Sequence, residues 1–507
     1  MRLRSFTIYD IFQRNADLFA TDTALVCGDR RIGFAELRAR ADRLAAGLAA
    51  EGVQKGDRVA ILGLNCHRFF YLFGAAAALG AVVVPINWRL ATDEIRFILA
   101  DAAPKVTLLD AAHAPRVQAL AAAGAPTGRL FGFDAGVAGL PGMDSLQAEP
   151  APPPAALGND DPFVIIYTAA VDGRPRGAVL SHGNLVSANL QTAVTMGLTR
   201  RDAFLNMLPL FHITDLNLAL TVMHVGGKNV VVEKFDARQT LALTAAEKIS
   251  VLGSFPPILS RLLEEMAAGG YDLGSLRHVK GIDNPETIER FQALTGGTFW
   301  ILYGQSETTG SVTLGPALER PGSAGRQLPM MRMRLVDDAD RPVAVGQTGE
   351  IIAQGPLVFQ GFWRQPVLDQ SSFRNGWHHT GDLGRLDSDG YLWFAGRKPE
   401  KELIKPGGEN VYPAEVESVI REHPAVAEVA VIGVPDPQFG EGIKAVCVLK
   451  PGAELSAEAL ADFVAAKIAR YKKPRYVAFT AALPKNAAGQ VDRARVKALH
   501  GETGASQ

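Results

Sequence analysis

Short, uninterrupted apolar runs alternate along this chain with longer stretches whose apolar residues recur every three or four positions. Residues 81–84, 163–167 and 230–232 are such runs, rich in β-branched residues, which is typical of buried strands. Residues 34–51 instead place leucine and alanine on one side of a helix. The alternation predicts an α/β fold with β-sheets flanked by helices and strands that are partly parallel.

One apolar segment, residues 69–84, carries no charge at all. It is too short to span a bilayer, and Gly74 and Gly80 interrupt it, so we predict a buried helix followed by a buried strand. The first ten residues lack the long apolar run of a signal peptide. We therefore expect a cytoplasmic protein without a transmembrane segment.

The pattern changes near Gly396, which divides the chain into two predicted domains. Residues 1–396 are expected to form a large N-terminal domain of several subdomains, with a Pro- and Ala-rich linker or surface loop at residues 149–158. Residues 397–507 are expected to form a small α+β lid domain that moves about a hinge near Lys398. Its pattern predicts a strand, a second strand and a helix at residues 427–434, 443–450 and 456–470.

Size and composition narrow the class of protein. A chain of 507 residues is longer than one hydrophobic core usually serves, so two or more domains are expected. The 52 Lys and Arg residues nearly balance 53 Asp and Glu residues, which argues against a nucleic-acid partner. Cys27, Cys66 and Cys447 lie far apart without metal-ligand spacing, so we expect reduced thiols and no disulfide framework.

Three polar blocks carry the candidate chemistry. Residues 303–308 (Tyr-Gly-Gln-Ser-Glu-Thr) combine a ring, a hydroxyl and a carboxylate, groups that can stack on a base, bind phosphate and hold Mg²⁺. Residues 377–384 contain Asp382, which could accept hydrogen bonds from both hydroxyls of a ribose. Their two adjacent histidines would lie on opposite faces of a strand, so we assign them no metal. Residues 396–417 include a Gly-Gly turn that lets the backbone approach a ligand closely.

In this order, the blocks resemble those of the adenylate-forming (AMP-binding) superfamily, which includes acyl-CoA synthetases, luciferases and nonribosomal adenylation domains. The resemblance covers nearly the whole chain, and the form of residues 407–417 resembles the acyl-CoA and aryl-CoA ligase branch. It implies a two-step reaction in which a carboxylic acid and ATP give an acyl-adenylate and pyrophosphate, with Mg²⁺. The C-terminal domain then rotates, and the thiol of CoA displaces AMP. The expected partners are the acid, ATP and CoA, with a homodimer as the candidate oligomer.

The resemblance also implies roles for individual residues. Tyr303 would flank the adenine, Glu307 would bind Mg²⁺, and Asp382 with Arg397 would hold the ribose. The implied nucleotide and phosphate contacts are Thr168, Gly173, Arg176, Gly304 and Ser306. His212 would border the tunnel for the carboxylate and pantetheine, Lys398 would be the hinge, and the residues facing CoA would be Lys405, Gly407 and Gly408. The candidate acyl-pocket residues are Thr214, Asp215, Phe255, Gly281 and Ile282. Most of them are small or apolar, which favours a medium-chain or aryl acid over acetate. Among these, Asp215 is unusual and would reach a polar group of the substrate.

The phosphate loop departs from the family pattern, which reads Thr-Ser-Gly-Thr-Thr-Gly-x-Pro-Lys-Gly. Here residues 168–177 read Thr-Ala-Ala-Val-Asp-Gly-Arg-Pro-Arg-Gly. Three hydroxyl positions, one glycine and the lysine are replaced, by Ala169, Val171, Asp172, Ala170 and Arg176. Because such loops hold phosphates with backbone N–H groups, hydroxyls and a cation, these changes are adverse. The Asp172 charge near a triphosphate would cost about 1 kcal/mol or more.

Two further departures accompany the loop. Gln490 occupies the position of the family's catalytic lysine, which stabilises the charge that develops as the carboxylate attacks phosphorus. A neutral amide at this position would lose several kcal/mol of transition-state stabilisation. Residues 280–285 replace a Gly-Ala-Pro-like turn that contacts the nucleotide and the acyl group in relatives.

Three interpretations fit these departures. The protein adenylates its acid slowly or through compensating groups; it uses another phosphate donor or a preformed adenylate; or it is a catalytically impaired homologue that binds a nucleotide or an acyl group. We favour an active acid–thiol ligase because Glu307, Asp382, Arg397 and His212 are all present.

Overall fold

The structure is a computed structural model that describes residues 5–149, 155–168, 175–398, 403–486 and 491–502. Its strands, in chain order, are β1 (Thr23–Cys27), β2 (Arg30–Gly33), β3 (Arg58–Leu62), β4 (Val82–Pro85), β5 (Val106–Leu109), β6 (Arg129–Gly132), β7 (Pro162–Thr168), β8 (Arg176–Ser181), β9 (Ala203–Asn206), β10 (Lys228–Val231), β11 (Val251–Ser254), β12 (His278–Gly281), β13 (Thr298–Tyr303), β14 (Thr313–Pro316), β15 (Arg326–Gln327), β16 (Arg332–Val336), β17 (Thr348–Gln354), β18 (Phe373–Arg374), β19 (Trp377–Leu386), β20 (Leu392–Arg397), β21 (Val426–Asp436), β22 (Gly440–Leu449) and β23 (Tyr476–Phe479).

The helices join these strands along the chain. They are α1 (Ile8–Leu18), α2 (Phe34–Ala50), α3 (His67–Leu79), α4 (Thr92–Ala102), α5 (Ala114–Ala122), α6 (His182–Met196), α7 (Ile213–His224), α8 (Ala237–Glu247), α9 (Ile258–Met266), α10 (Pro285–Thr295), α11 (Pro366–Ser372), α12 (Pro413–Arg421), α13 (Ala457–Lys467) and α14 (Arg493–His500). Within the described ranges, none of them is both long and apolar enough to cross a membrane.

Two large, mostly parallel sheets form the bulk of the protein. One has six strands in the order β6-β5-β3-β4-β7-β8, and only its β7–β8 pair is antiparallel. The other has nine strands in the order β15-β14-β13-β12-β11-β9-β10-β1-β2, with parallel pairing from β1 to β13. All four residues of β4 and of β12 are buried, as expected for parallel strands that helices cover on both faces.

The uncharged segment at residues 69–84 confirms the prediction made for it. It forms most of α3, which ends at Gly80 in a left-handed conformation (φ 71°), and then enters the buried strand β4. Phe69, Phe70 and Phe73 are almost fully buried in the core beneath the sheets. The segment is therefore a core helix and a core strand.

Two smaller sheets follow along the chain. Strands β16 to β20 form a five-stranded sheet, whose core includes Tyr303 on β13. The C-terminal part, which is the described chain after Arg397, contains the three-stranded sheet β21-β22-β23, and this sheet packs against α12 and α13. The predicted strand, strand and helix near residues 427–470 are confirmed as β21, β22 and α13. The α/β architecture with several helix-flanked sheets and a small C-terminal unit is confirmed, whereas the boundary at residue 396 and the hinge stay predictions.

Candidate active site

A cavity of about 810 Å³ lies beyond the carboxyl ends of the parallel strands β9 to β13. This edge of a parallel sheet is where ligands usually bind in α/β proteins. The residues that follow β12 and β13 line one side of it, and residues 405–410 of the C-terminal part line another. The cavity therefore combines groups from both parts of the chain.

Asp382 is the centre of a polar cluster in this cavity. Its Oδ2 accepts hydrogen bonds from the Tyr303 hydroxyl at 2.9 Å and from Gln305 Nε2 at 2.7 Å. Its Oδ1 forms an ion pair with Arg397 Nε at 2.9 Å. Strand pairing fixes this geometry, because Asp382 on β19 lies opposite Arg397 on β20. The cluster presents a buried, well-oriented carboxylate to the cavity, as a diol such as ribose requires.

The turn after β13 supplies the next group of cavity residues. Gly304, Ser306 and Glu307 all line the cavity, and Ser306–Thr308 forms a short 3₁₀ helix. A side chain at Gly304 would meet the carbonyl oxygen of Gly310 at 2.2 Å, so only glycine fits this close approach. The carbonyl of Glu307 accepts the N–H of Phe359 at 2.9 Å, which anchors the turn that carries its carboxylate.

The phosphate loop connects the two strands of a hairpin. Thr168 ends β7 and lies opposite Arg176 at the start of β8, and both residues line the cavity. Gly173 and the replaced positions Ala169 to Asp172 lie outside the described residues. The hairpin therefore fixes only where the loop enters and leaves the cavity.

His212 contacts the C-terminal part through Glu409. Its Nε2 lies 3.0 Å from Glu409 Oε1, and Arg89 forms an ion pair with the same oxygen. Burial alone would raise the pKa of Glu409, but the neighbouring His212 and Arg89 side chains outweigh burial and lower it to about 2. The Arg89 guanidinium also lies 5.1 Å from the Trp88 ring and 5.5 Å from the Phe211 ring. Arg89 belongs to none of the motif blocks, so the sequence analysis missed it.

The Gly-Gly turn packs closely on the wall of the cavity. Gly407 (φ 58°) and Gly408 (φ 86°) have left-handed backbones, and a side chain at Gly408 would meet Phe255 Cβ at 3.3 Å. Lys405 lines the cavity beside them. Burial, followed by the nearby Arg397, lowers the pKa of the Lys405 ammonium to about 8. The turn thus brings the Lys405 ammonium to the cavity.

Lys398, the predicted hinge, does not line the described cavity. Lys398 lies at the end of β20, and its ammonium pairs with Glu350 and Asp338, each at 3.0 Å. Gln490 lies outside the described residues. Asn486 and Val491, the described residues on either side of it, do not line the cavity. In this arrangement the turn at residues 405–409 faces the cavity.

The predicted acyl residues divide into two groups. Thr214, Phe255 and Ile282 line the cavity, whereas Asp215 and Gly281 do not. Asp215 is fully buried on α7, and burial raises its pKa well above the usual range, although a hydrogen bond with the Leu208 backbone opposes that rise. Gly281 ends β12 so close to the Ser254 carbonyl that a side chain would lie 1.6 Å from it.

Metal ligands are sparse in the described part of the chain. No group of three or more His, Cys, Asp or Glu side chains there could hold a metal ion by itself. Glu307 alone would offer one carboxylate, which suits Mg²⁺ because this ion usually takes its remaining ligands from phosphates and water.

The fold and the cavity define a nucleotide-dependent enzyme whose small C-terminal part completes the site. The chain belongs to the AMP-binding enzyme family: the AMP-binding enzyme model matches residues 12–363, and the model of the AMP-binding enzyme C-terminal domain matches residues 415–490. It is 36% identical to the indoleacetate–CoA ligase of Aromatoleum aromaticum, with 96% of each chain covered. It is 35% identical to the feruloyl-CoA synthase of an Amycolatopsis species, with 96% of this chain and 98% of that one covered.

Two solved structures of o-succinylbenzoate CoA synthetase from Bacillus subtilis, each 29% identical to this chain, superpose on it to different extents. A double mutant bound with its product analogue OSB-NCoA superposes with a TM-score of 0.85 over 97% of this chain and 98% of that one. The complex with the acyl-adenylate intermediate OSB-AMP gives 0.72, with 100% of both chains covered. The present structure is therefore more similar to the complex with the CoA product analogue.

Proposed function

We propose that this protein is an ATP-dependent carboxylic acid–CoA ligase that works through an acyl-adenylate. The observation that carries the proposal is that the Asp382–Arg397 cluster and the turn at residues 405–409 line one cavity. The Asp382–Arg397 cluster would hold the nucleotide, and the turn at residues 405–409 would lie beside the thiol of CoA. A protein that only binds a nucleotide would not need the turn at residues 405–409 next to the nucleotide-binding cluster.

For the first half-reaction, Tyr303 would flank the adenine, and Asp382 with Arg397 would hold the ribose. Ser306, Thr168, Gly173 and Arg176 would surround the phosphates, and Glu307 would hold Mg²⁺ together with phosphate oxygens of the substrate. Mg²⁺ would supply charge neutralisation for the pyrophosphate that leaves. Because Gln490 supplies no positive charge, we propose that adenylation is the slower half-reaction.

For the second half-reaction, the C-terminal domain, residues 397–507, would turn about Lys398 relative to residues 1–396. Glu409 would then reach His212 as it does here, and Lys405, Gly407 and Gly408 would face CoA. The greater similarity to the product-analogue complex supports this assignment of the present arrangement to the thioester-forming step.

We propose an aryl or medium-chain acid as the substrate. The walls beyond His212 are mainly apolar, including Ile213, Phe255, Ile282 and Ile288. Two relatives of nearly full length are named for indoleacetate and for a feruloyl group. The three free cysteines fit the reducing environment of the cytoplasm.

The test separates the two half-reactions. Purified protein is given ATP, Mg²⁺, CoA and a panel of aryl and medium-chain acids, and acyl-CoA and AMP are measured by mass spectrometry. We expect a thioester from at least one acid. With that acid's synthetic adenylate and CoA, we expect turnover at least tenfold faster than with free acid and ATP. Absence of any thioester from the panel or from a synthetic adenylate would contradict the proposal.

A lysine restored at position 490 tests the origin of slow adenylation. We expect Gln490→Lys to raise the rate from free acid and ATP, with about tenfold for each 1.4 kcal/mol recovered. The same variant should leave the rate from preformed adenylate within about twofold. Gln347→Lys, which adds the same charge at an exposed position outside the cavity lining, should change neither rate. Equal rates from acid and from adenylate in the unaltered protein would show that adenylation is not the slow half-reaction.

A further inference from the structure

Tyr412 presents a hydroxyl group to the cavity from the C-terminal part. The residue directly precedes α12 and lines the cavity. Its backbone is fixed on both sides, because Ile404 and Val411 exchange two hydrogen bonds of 2.8 and 2.9 Å and Pro413 begins α12. Within the described residues the hydroxyl forms no hydrogen bond, yet its oxygen is not enclosed by protein atoms. A ligand in the cavity can therefore reach it.

Four charged side chains from separate segments of the chain act on this hydroxyl. Glu307 acts most strongly, followed by Arg397, Arg176 and Asp382. In the proposed function, Asp382 and Arg397 hold the ribose, whereas Arg176 and Glu307 with Mg²⁺ belong to the phosphates. The α-phosphate joins the ribose to the other phosphates, so its expected place lies between these two pairs of residues. The Tyr412 hydroxyl interacts with both pairs and therefore lies beside that place.

The surroundings of Tyr412 keep its hydroxyl in the form that donates a hydrogen bond. Burial, followed by the charge of Glu307, raises the pKa of Tyr412 above its usual range. The group is therefore neutral at every pH at which the enzyme would be assayed. A hydroxyl without a partner gains most from an anionic acceptor, because hydrogen bonds to charged groups are the stronger ones.

We propose that Tyr412 is a catalytic residue of the thioester-forming step, in which its hydroxyl donates a hydrogen bond to the α-phosphate of the acyl-adenylate. The sulfur of CoA forms a bond with the acyl carbon, and the bond between that carbon and the bridging phosphate oxygen breaks. The electron pair of the broken bond stays on this oxygen, which leaves as part of AMP, and the thiol proton passes to water. Negative charge on the phosphate grows as the bond breaks, so a fixed donor stabilises the transition state more than the ground state.

The inference rests on the proposed function and assigns Tyr412 to its second half-reaction. Tyr412 belongs to the C-terminal part, and it follows the turn whose Glu409 lies 3.0 Å from His212 in the present arrangement. Rotation of this part about Lys398 would carry Tyr412 away from the nucleotide together with Glu409. The hydroxyl would then contribute to thioester formation and not to adenylation.

Tyr412→Phe removes the hydroxyl and keeps the ring. We expect the single-turnover rate from preformed adenylate and CoA to fall at least about tenfold, which is typical for loss of a hydrogen bond to a charged group. Pyrophosphate release from acid and ATP without CoA should change by less than about twofold. The loss in the thioester-forming step should be equal at pH 7 and at pH 9, because the hydroxyl stays protonated over this range.

Ligand binding separates a contact with the phosphate from a structural role. Calorimetry measures the affinities of AMP and of adenosine, which lacks the phosphate. In Tyr412→Phe, the affinity of AMP relative to adenosine should fall at least about fivefold, while adenosine binds within about twofold as before. Tyr476→Phe is the matched control, because it removes a hydroxyl that bonds Asp436 at 2.9 Å outside the cavity lining, and it should alter neither quantity. Thermal unfolding of each variant verifies that it is folded.

Unchanged thioester formation and an unchanged binding ratio in Tyr412→Phe would overturn the inference. A lower rate with an unchanged ratio, or an equal loss in both half-reactions, would show that the tyrosine only supports the turn and would overturn it as well. If the unaltered protein forms no thioester from any adenylate, the proposed function fails and this inference fails with it. Equal thioester formation by the unaltered protein and by Tyr412→Phe refutes this inference alone.

Discussion

Lys280 is a charged side chain enclosed in the interior of the nine-stranded sheet. It is 1% exposed, and its ammonium donates to Asn217 Oδ1 at 3.2 Å. Burial lowers the pKa of this ammonium from 10.5 to about 8. Within the described residues no carboxylate forms an ion pair with it. The buried cation therefore destabilises the folded state, because lysine is almost never fully buried without a charged partner.

We predict that Lys280→Met stabilises the protein at pH 7. The pKa of Lys280 is about 2.5 pH units lower in the folded state than in the unfolded state. This difference corresponds to a destabilisation of the folded state by about 3 kcal/mol, which an apolar side chain of similar size removes. Below pH 8 the full destabilisation by the buried Lys280 ammonium is present. Between pH 8 and 10.5 the unfolded chain binds more protons, so the stability of the unaltered protein should rise with pH, and the variant should lack this rise.

The measurement is the midpoint of urea unfolding of the unaltered protein and the variant at pH 7 and at pH 9.5. Lys248→Met, at an exposed lysine paired with Asp272, is the control and should shift the midpoint little at either pH. A Lys280→Met protein that unfolds at lower urea than the unaltered protein at pH 7 would contradict the prediction.

At the scale of elements, the sequence pattern predicted the strands and helices that depend on local periodicity. The all-apolar runs became β4 and β7 because continuous burial leaves no polar position in a strand covered on both faces. Asp215 follows Thr214 directly in sequence, and only the helix explains why Thr214 lines the cavity and Asp215 does not. Each residue turns about 100° further around α7, which carries Asp215 into the interior.

Contacts between distant elements could not be read from pattern. His212 and Glu409 are 197 residues apart, and their contact depends on how the C-terminal part lies over the cavity. The motif blocks indicated Tyr303, Asp382 and Arg397 as one group, and the structure brings these three together. The ion pair of Arg89 with Glu409 arises from tertiary packing, for which Arg89 carries no local signal.

We predict that Glu409→Gln slows the thioester-forming step. The hairpin-like turn between Ile404 and Val411 is held over the cavity by the Glu409 contacts to His212 and Arg89. Loss of one charge leaves Arg89 without its partner and should lower the rate from preformed adenylate and CoA about tenfold, or about 1.4 kcal/mol. Adenylation, measured by pyrophosphate release without CoA, should change by less than about twofold.

Glu422→Gln is the matched control, because Glu422 is exposed on the same C-terminal part. It should alter neither rate. A Glu409→Gln variant that loses both half-reactions equally would indicate a structural role for the carboxylate and would contradict its assignment to the second step.

At the scale of the whole molecule, a buried lysine joins the two parts of the chain. Lys472, 1% exposed, forms ion pairs with Glu94 on α4 and with Glu415 on α12. Burial raises the pKa of Glu415 above its usual range, and the second carboxylate, Glu94, adds to this rise while Lys472 opposes it. Glu94 also accepts the backbone N–H of Ala469 at 3.1 Å. These bonds fix the C-terminal part in the arrangement seen here.

We predict that Lys472→Met disfavours this arrangement. The substitution leaves two buried carboxylates side by side. Removal of one partner of a buried ion pair destabilises a structure by several kcal/mol. The rate from preformed adenylate and CoA should fall more than tenfold, whereas adenylation should be retained. The triple change Lys472→Met, Glu94→Gln and Glu415→Gln should recover part of the lost rate because it removes the repulsion.

Lys473→Met provides the control, since Lys473 is the adjacent, partly exposed lysine. It should leave the rate from preformed adenylate within about threefold. If Lys472→Met lowers both half-reactions to the same extent and lowers the melting temperature, the lysine stabilises the whole fold and not this arrangement.

The pairing of β1 with β10 affects how the protein is made. Leu25 lies opposite Asn229, so β1 and β2, near the start of the chain, complete a sheet whose other strands come from its middle. A ribosome adds about 5–20 residues each second, so β1 and β2 emerge roughly 10–40 seconds before their neighbour exists. During that time their open edge and their apolar face are available to other nascent chains. The nine-stranded sheet is therefore completed late in synthesis, because β1 and β2 must wait for β10 before they can join it.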